Sequence, residues 1–206
     1  MPFDEPQLRA MFPVPLITVH LRNAEDLNHR LLKEISERRD SEPGVDRSNR
    51  FGWHSDYDLF RRTEPALLEL VGEIEAMVVA ATAKAVPDAP KNMTIRHEGW
   101  INVTPKHGMN APHDHPGAFW SGTYYVHVPQ PLDESDALSG AIEFLDPRGS
   151  IGNVRPEAAF TRPKFTIRPA AGTALLWPGF VRHWVHPNRS EEERVSVAFN
   201  SWFVPA

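Results

Sequence analysis

Cysteine is absent from the 206 residues of this chain. Its absence excludes a disulfide framework, a zinc or iron–sulfur site with cysteine ligands, and a cysteine nucleophile. Basic residues are also outnumbered, with 22 Lys and Arg against 27 Asp and Glu, and they form no run. Mild acidity without a basic patch argues against a protein that binds nucleic acid.

Long apolar segments are missing as well. The longest, around residues 76–86, contains Lys84 and is far shorter than the roughly 20 residues that a membrane span requires. The amino terminus has no basic region followed by an apolar core, the pattern of a secretory signal. We therefore expect a cytoplasmic protein that does not bind membranes. The length is typical of one domain, which predicts a single domain over residues 1–206.

The first part of the chain, about residues 1–90, is predicted to be helical. Apolar residues recur at helical period in residues 24–38 and again in residues 65–86, so each segment carries an apolar stripe. Pro65 suits the first turn of the second helix. The intervening residues 41–58 are polar and rich in turn formers, which predicts a loop.

After residue 90, short apolar runs alternate with proline and glycine turns, a pattern typical of β-strands. Six or more such strands predict a sandwich or barrel, so the fold class is mainly β with a core over about residues 91–206. The two helices are expected to cover one face of one sheet. The predicted strands are residues 94–103, 120–128, 141–145, 165–169, 173–177 and 195–204.

Two histidines stand close together in the β region. In an extended strand, residues i and i+2 project to the same side, so His113 and His115 can face one point while Asp114 faces away. Imidazole nitrogen is a ligand for iron and zinc, and this pair would form half of a metal site. The alternative is a polar loop in which both histidines are solvated.

A second group of polar residues lies near the end of the chain. His183 and His186 precede Arg194, which stands in an apolar run with Ser196 two residues further on. Burying an arginine is unfavourable unless it meets an anion. A guanidinium beside a hydroxyl suits bidentate binding of a carboxylate. The alternative is that Arg194 pairs with an Asp or Glu of its own chain.

Taken in order, these motifs resemble the superfamily of 2-oxoglutarate- and Fe(II)-dependent oxygenases, and more narrowly a small bacterial family within it. The resemblance covers about residues 95–203. Each motif alone is weak, but the ordered series is specific. The motifs are Trp100-x-Asn102, His113-x-His115-Pro116, Ser121-Gly122-x-Tyr124-Tyr125-Val126, Phe144-x-Asp146-Pro147-Arg148, Pro178-Gly179, His183-x-Val185-x-Pro187 and Arg194-x-Ser196-x-x-Phe199-Asn200.

The resemblance implies a double-stranded β-helix, which is a jelly-roll or cupin-like barrel, with N-terminal helices on one sheet. It implies Fe(II) as the metal and 2-oxoglutarate as co-substrate. The chain would then be a dioxygenase that uses O2 to hydroxylate an unidentified small molecule or peptide, with release of succinate and CO2. A homodimer is compatible with this interpretation.

The resemblance also assigns the catalytic metal ligands, which would be His113, His115 and His183. The motif His-x-Val-x-Pro begins at His183, and this register favours it over His186. Most of the superfamily has His-x-Asp at the first pair, giving two histidines and one carboxylate. Here a histidine replaces that Asp. Strand parity favours three histidines, and the alternative is that Asp114 supplies the carboxylate.

Co-substrate binding is assigned in the same way. Arg194, assisted by Ser196, would hold the distal carboxylate of 2-oxoglutarate. Tyr125 is a further candidate for that carboxylate, and Asn102 is a candidate for contact with co-substrate or substrate. The aromatic residues nearest the ligands in sequence are expected either to wall a dry pocket or to pack in the β core. They are Phe119, Trp120, Phe180 and Trp184.

Two other interpretations are open at this point. A cupin-type metalloprotein would also use a His-x-His motif, as an isomerase, a 2-oxoglutarate-independent dioxygenase or a small-molecule binder. The pair Arg194 and Ser196 argues against it, because a cupin does not need that inward cation. The other is a sensor or scaffold that keeps the fold without turnover.

Overall fold

The architecture is that of a computed structural model, which describes residues 5, 7, 9–88, 92–130, 136–149 and 158–206. Within these residues the helices are α1 (Ala24–Ser41) and α2 (Pro65–Ala85), with short 3₁₀ turns at Leu59–Arg61 and Ala159–Thr161. The strands are β1 (Ile17–His20), β2 (Asn49–Arg50), β3 (Trp53–His54), β4 (Met93–Thr104), β5 (Met109–His113), β6 (Trp120–His127), β7 (Ile142–Leu145), β8 (Lys164–Ile167), β9 (Thr173–Pro178), β10 (His183–Val185) and β11 (Arg194–Pro205).

The strands form two antiparallel sheets. The larger has the order β1-β9-β6-β11-β4-β3, and the smaller has the order β2-β5-β10-β7-β8. The inner faces of the two sheets meet at one cavity, lined by Trp100 and Ser196 from the larger sheet and by Asn110 and His183 from the smaller. The fold is therefore the mainly β jelly roll with N-terminal helices that the sequence predicts.

The two helices cover the outer face of the larger sheet. Strand β11 shows how alternation divides its residues, because Ser196 lines the cavity whereas Val197 and Phe199 pack in the core beneath the helices. Tyr124 of β6 points the same way and donates a hydrogen bond to Asn28 of α1 at 2.7 Å. Each fully buried leucine of this core contributes about 1.5–3 kcal/mol. The helical leucines with no exposed surface are Leu31, Leu67 and Leu70.

The amino-terminal part differs from its helical prediction, because it also supplies strands to both sheets. β1 pairs with β9, β2 pairs with β5, and β3 pairs with β4. The segment predicted as a loop, residues 41–58, contains two of these strands. Each has only two residues, too few for an alternating pattern to appear in the sequence. None of the helices in the described ranges is long and apolar enough to cross a lipid bilayer.

A cluster of ion pairs fixes this strand-bearing segment to the end of α1. The side chain of Arg38 is 2% exposed, and it donates to Glu42 Oε2 at 2.8 Å and to Asp58 Oδ1 at 2.6 Å. Arg62 reaches the same two carboxylates at 3.2–3.3 Å. Arg38 is thus the buried cation between the two ends of the segment.

Replacing Arg38 with Ala should lower the free energy of unfolding by about 2–3 kcal/mol, because two half-buried carboxylates lose a charged donor. Arg39→Ala is a matched control one residue along. Arg39 pairs with Glu193 at 2.7 Å with both side chains more than a third exposed, and such pairs contribute about 0–1 kcal/mol. Urea unfolding followed by circular dichroism measures both losses. Equal losses would contradict the role given to Arg38.

Candidate metal centre

Two neighbouring strands bring the histidines together. His113 is the last residue of β5 and His183 the first of β10, and the two residues are direct partners in the antiparallel ladder. His115 lies two residues beyond the end of β5, where its backbone N–H donates to the carbonyl of Gly179 at 2.9 Å. A Cβ on Gly179 would come 2.8 Å from the carbonyl oxygen of His115, so only glycine allows this approach.

The three imidazoles converge on one point. The ring centres are 4.4 Å apart for His113 and His183, 5.0 Å for His113 and His115, and 5.3 Å for His115 and His183. One nitrogen from each ring lies within 4.8 Å of the other two. Among the described residues, no other group of three or more His, Asp or Glu has this geometry.

Burial keeps these rings neutral. Burial, together with the smaller electrostatic effect of His113, lowers the pKa of His115 and of His183 to about 3 each. Burial also lowers the pKa of His113, partly offset by the carbonyl of Ala111. A metal binds the deprotonated imidazole nitrogen. Because the rings are already neutral near pH 7, a cation does not have to displace protons from them.

Hydrogen bonds select the nitrogen that remains free. Nδ1 of His113 lies 2.7 Å from the carbonyl oxygen of Ala111, and Nδ1 of His183 lies 3.0 Å from that of Val181. A carbonyl can only accept, so Nδ1 carries the proton in both rings and Nε2 keeps its lone pair. This is the usual arrangement of histidines that bind metals. The donor set therefore fits a divalent transition-metal ion such as Fe(II).

The two alternative ligands point elsewhere. Asp114 Oδ2 lies 3.7 Å from Arg182 Nη2, and this residue is outside the convergent group. His186 Nε2 lies 3.2 Å from Glu143 Oε2. Glu143 is a buried carboxylate whose pKa is lowered to about 2 by hydrogen bonds from Lys164 and other donors, against the opposing effect of burial.

The far end of the cavity contains a buried cation. Arg194 is 1% exposed, and its Nη1 donates to Ser196 Oγ at 3.2 Å. Its guanidinium carbon lies 5.0 Å from the centre of the Tyr125 ring. Among the described residues, Nε has no hydrogen-bond partner and no carboxylate forms an ion pair with this arginine. Gly140, at φ +64°, makes room for it, since a Cβ there would lie 3.1 Å from Arg194 Cδ.

Other buried polar atoms in or beside this cavity also have no hydrogen-bond partner among the described residues. Asn102 Oδ1 and Tyr125 Oη belong to residues next to Ser196 and Arg194, and Trp177 Nε1 belongs to a ring that packs against His183. Burial raises the pKa of Tyr125 to about 12, so its hydroxyl keeps its proton. Unpaired buried polar atoms are unfavourable. Unpaired polar groups in and beside a cavity that contains a buried guanidinium are the arrangement expected where a polar anion binds.

None of the four candidate aromatic residues lines the cavity, and Trp120 packs in the core, which was the other expectation. The indole of Trp120 donates to Thr82 of α2, and that of Trp184 donates to Glu143. Phe119 and Phe180 are exposed. Because side chains alternate along a strand, Trp120 on β6 and Trp184 on β10 point away from the cavity. Trp100 and Trp177 line the cavity instead, with ring centres 5.6 Å from His115 and 4.8 Å from His183, respectively.

Known structures share this fold. A Pseudomonas putida prolyl-4-hydroxylase is 16% identical with a TM-score of 0.61, covering 93% of this chain and 92% of that chain. A Trichoplax adhaerens prolyl hydroxylase in complex with a hypoxia-inducible factor peptide is 11% identical with a TM-score of 0.62, covering 91% and 83%. SnoN, a non-haem α-ketoglutarate-dependent epimerase of nogalamycin biosynthesis, is 15% identical with a TM-score of 0.62, covering 91% and 78%. No curated protein matches the chain.

A family model is more specific than these likenesses in fold. The model described as "Putative 2OG-Fe(II) oxygenase" matches residues 98–200, which are half of the chain. The matched range contains the three convergent histidines and Arg194. The chain therefore belongs to the family of 2-oxoglutarate- and Fe(II)-dependent oxygenases, and it is an oxidoreductase that uses Fe(II), 2-oxoglutarate and O2.

Proposed function

We propose that His113, His115 and His183 hold Fe(II) through their Nε2 atoms and that Arg194 binds the distal carboxylate of 2-oxoglutarate. One observation carries this assignment. A single cavity has three neutral imidazoles on one side and, on the other, a buried guanidinium without a carboxylate partner among the described residues. A dicarboxylate that reaches both would satisfy the metal and the cation at once.

The residues around Arg194 have complementary roles in this proposal. Ser196 Oγ and Tyr125 Oη, on the two side chains in contact with Arg194, are donors that can share the distal carboxylate. The side-chain amide of Asn102 lies on the strand next to Ser196, in direct register with it, and would contact the co-substrate or the substrate. Trp100 and Trp177 are 6% and 2% exposed, and their rings lie beside His115 and His183, so they exclude water from the metal end of the bound acid.

The overall reaction that we propose is hydroxylation of a C–H bond. When bound, Fe(II) supplies the activation of O2, coupled to oxidative decarboxylation of 2-oxoglutarate to succinate and CO2. One oxygen atom enters succinate and the other enters the hydroxylated product. The protein positions the reacting groups. The histidines hold the metal in place and Arg194 orients 2-oxoglutarate, so that the groups meet in one geometry.

The third ligand can be tested by exchanging the two candidates. His115→Asp should keep metal binding, because a carboxylate replaces an imidazole with a ligand that suits Fe(II) equally. Asp114→Ala should leave metal affinity within about twofold, since its carboxylate pairs with exposed Arg182 and such pairs contribute little. Calorimetric titration with Mn(II) measures both. A large loss of affinity in Asp114→Ala would mean that the triad contains Asp114 in place of His115.

The activity is tested by succinate formation. We expect the protein to release succinate from 2-oxoglutarate only when Fe(II) and O2 are both present, and to release more when candidate small molecules or peptides include a substrate. Calorimetry with Mn(II) in place of Fe(II) provides a readout without turnover. Failure of the Mn(II)-loaded protein to bind 2-oxoglutarate would overturn the proposal.

We further propose that the chain acts as a single domain in the cytoplasm on a small molecule or a peptide. Shared packing supports the first part, because side chains of both helices and of the larger sheet form one apolar core. The absence of cysteine is compatible with a reducing compartment. Cooperative unfolding in one transition and fractionation of cells that express the chain test these two statements separately.

A further inference from the structure

A buried pair of polar side chains supports His115 from the larger sheet. Ser121 of β6 and Asn200 of β11 are direct partners in the ladder, and they are 1% and 6% exposed. Ser121 Oγ lies 2.7 Å from Asn200 Oδ1. The other end of the same amide, Nδ2, lies 3.3 Å from Nδ1 of His115. Asn200 therefore links a hydroxyl to one ring of the metal centre.

This link differs from those of the other two rings. His113 and His183 both present Nδ1 to a backbone carbonyl, which forces the proton onto Nδ1 and leaves Nε2 free. At His115 the neighbour is an amide nitrogen, which can only donate. A ring that accepts this bond at Nδ1 and is neutral must carry its proton on Nε2, where it has no lone pair for a cation.

Reversing the amide of Asn200 removes this conflict. Oδ1 then accepts from the Nδ1–H of His115, and Nδ2 donates to Ser121 Oγ, which can accept as well as donate. The two ends of an amide have nearly the same shape, so oxygen and nitrogen exchange positions without displacing neighbouring atoms, and both hydrogen bonds are kept. All three rings then present Nε2 lone pairs.

We propose that Asn200, anchored by Ser121, is a positioning residue that sets the tautomer of His115. In the metal-loaded protein the side-chain carbonyl of Asn200 accepts the proton of Nδ1, and Nε2 of His115 binds the metal. This inference rests on the proposed function, because it takes His115 as a ligand. It assigns to Asn200 the part that backbone carbonyls have for His113 and His183.

Two substitutions at one position separate this role from simple packing. Asn200→Asp keeps an acceptor for Nδ1–H and removes the donor, so we expect Zn(II) affinity equal to or above that of the natural chain. Asn200→Leu has a similar volume and no acceptor, so we expect Zn(II) affinity to fall about 10–100-fold, the usual cost of losing such a partner. Competition with a chromophoric chelator measures Zn(II) affinity in the full chain.

Histidine ¹⁵N spectra of the natural chain loaded with Zn(II) give a second readout, which does not depend on a variant that might fail to fold correctly. We expect His113, His115 and His183 each to carry a proton on Nδ1 and to bind Zn(II) through Nε2. Unchanged affinity in Asn200→Leu, or binding of His115 through Nδ1, would overturn the inference. If His183→Ala binds Zn(II) as tightly as the natural chain, the proposed metal site itself is wrong.

Discussion

Arg194→Met should keep metal binding and weaken 2-oxoglutarate binding by about 2–5 kcal/mol, or roughly 30- to 5,000-fold. The reason is that the distal carboxylate would be buried without its cation, while the length of the side chain and the packing around it are largely kept. Calorimetric titration of the Mn(II)-loaded variant with 2-oxoglutarate measures the change. Arg194→Lys provides the control for charge. It should recover part of the affinity, since an ammonium restores the charge without the planar pair of donors.

A structural role for Arg194 would give a different pattern. The guanidinium is fully buried, and burial lowers its pKa, so the protein without co-substrate contains a cation whose desolvation is not offset by a carboxylate of the described residues. Replacing such a charge with an apolar group is often neutral or stabilising. We therefore expect the free energy of unfolding of Arg194→Met to equal or exceed that of the natural chain. A clear loss of stability together with unchanged 2-oxoglutarate affinity would contradict the assignment.

Losing a hydrogen-bond partner of a metal ligand usually lowers metal affinity by about 10–100-fold. His183→Ala should reduce Fe(II) affinity by more than this, because it removes one of the three proposed ligands themselves. His186→Ala is the matched control, since the two histidines are three residues apart on or beside the same strand. The imidazole of His186 lies against Glu143 and Trp184, away from the metal centre, so its removal should leave Fe(II) affinity unchanged. Metal content after dialysis against a weak chelator measures both.

Unfolding measurements complete this comparison. His186→Ala removes one of several donors to buried Glu143, so we expect a loss of about 1 kcal/mol in stability. His183→Ala should affect metal binding far more than the stability of the metal-free protein. Equal metal loss in both variants would show that the register of His-x-Val-x-Pro does not identify the ligand.

Much of the fold was predictable because long elements have clear periods. Both helices carry an apolar stripe, and residues 194–199 of β11 alternate between cavity and core. The same alternation correctly places Arg194 and Ser196 on one face. Strand alternation does not explain the position of His115, which lies beyond the end of β5. Its imidazole reaches the other two histidines because the turn after β5 is held by a backbone hydrogen bond to Gly179.

Other site residues could not be inferred, because their roles depend on distant partners. Trp177 reads as a core residue in an apolar run, and only the folded structure shows that its ring lines the cavity beside His183 and that its indole N–H has no partner among the described residues. Asn200 belongs to a motif of the family resemblance, but its contact with His115 joins residues 85 positions apart. The strands β5 and β10, which carry two of the proposed ligands, are too short or too polar to show a β pattern.

The central claim is that one cavity holds the metal and 2-oxoglutarate together. A crystal structure of the protein with Mn(II) and 2-oxoglutarate, grown without oxygen, tests it most directly. We expect one anomalous peak at about 2.0–2.2 Å from Nε2 of His113, His115 and His183. We also expect the distal carboxylate of 2-oxoglutarate to pair with Arg194. A metal bound elsewhere, or a 2-oxoglutarate that leaves Arg194 without its carboxylate, would contradict the claim.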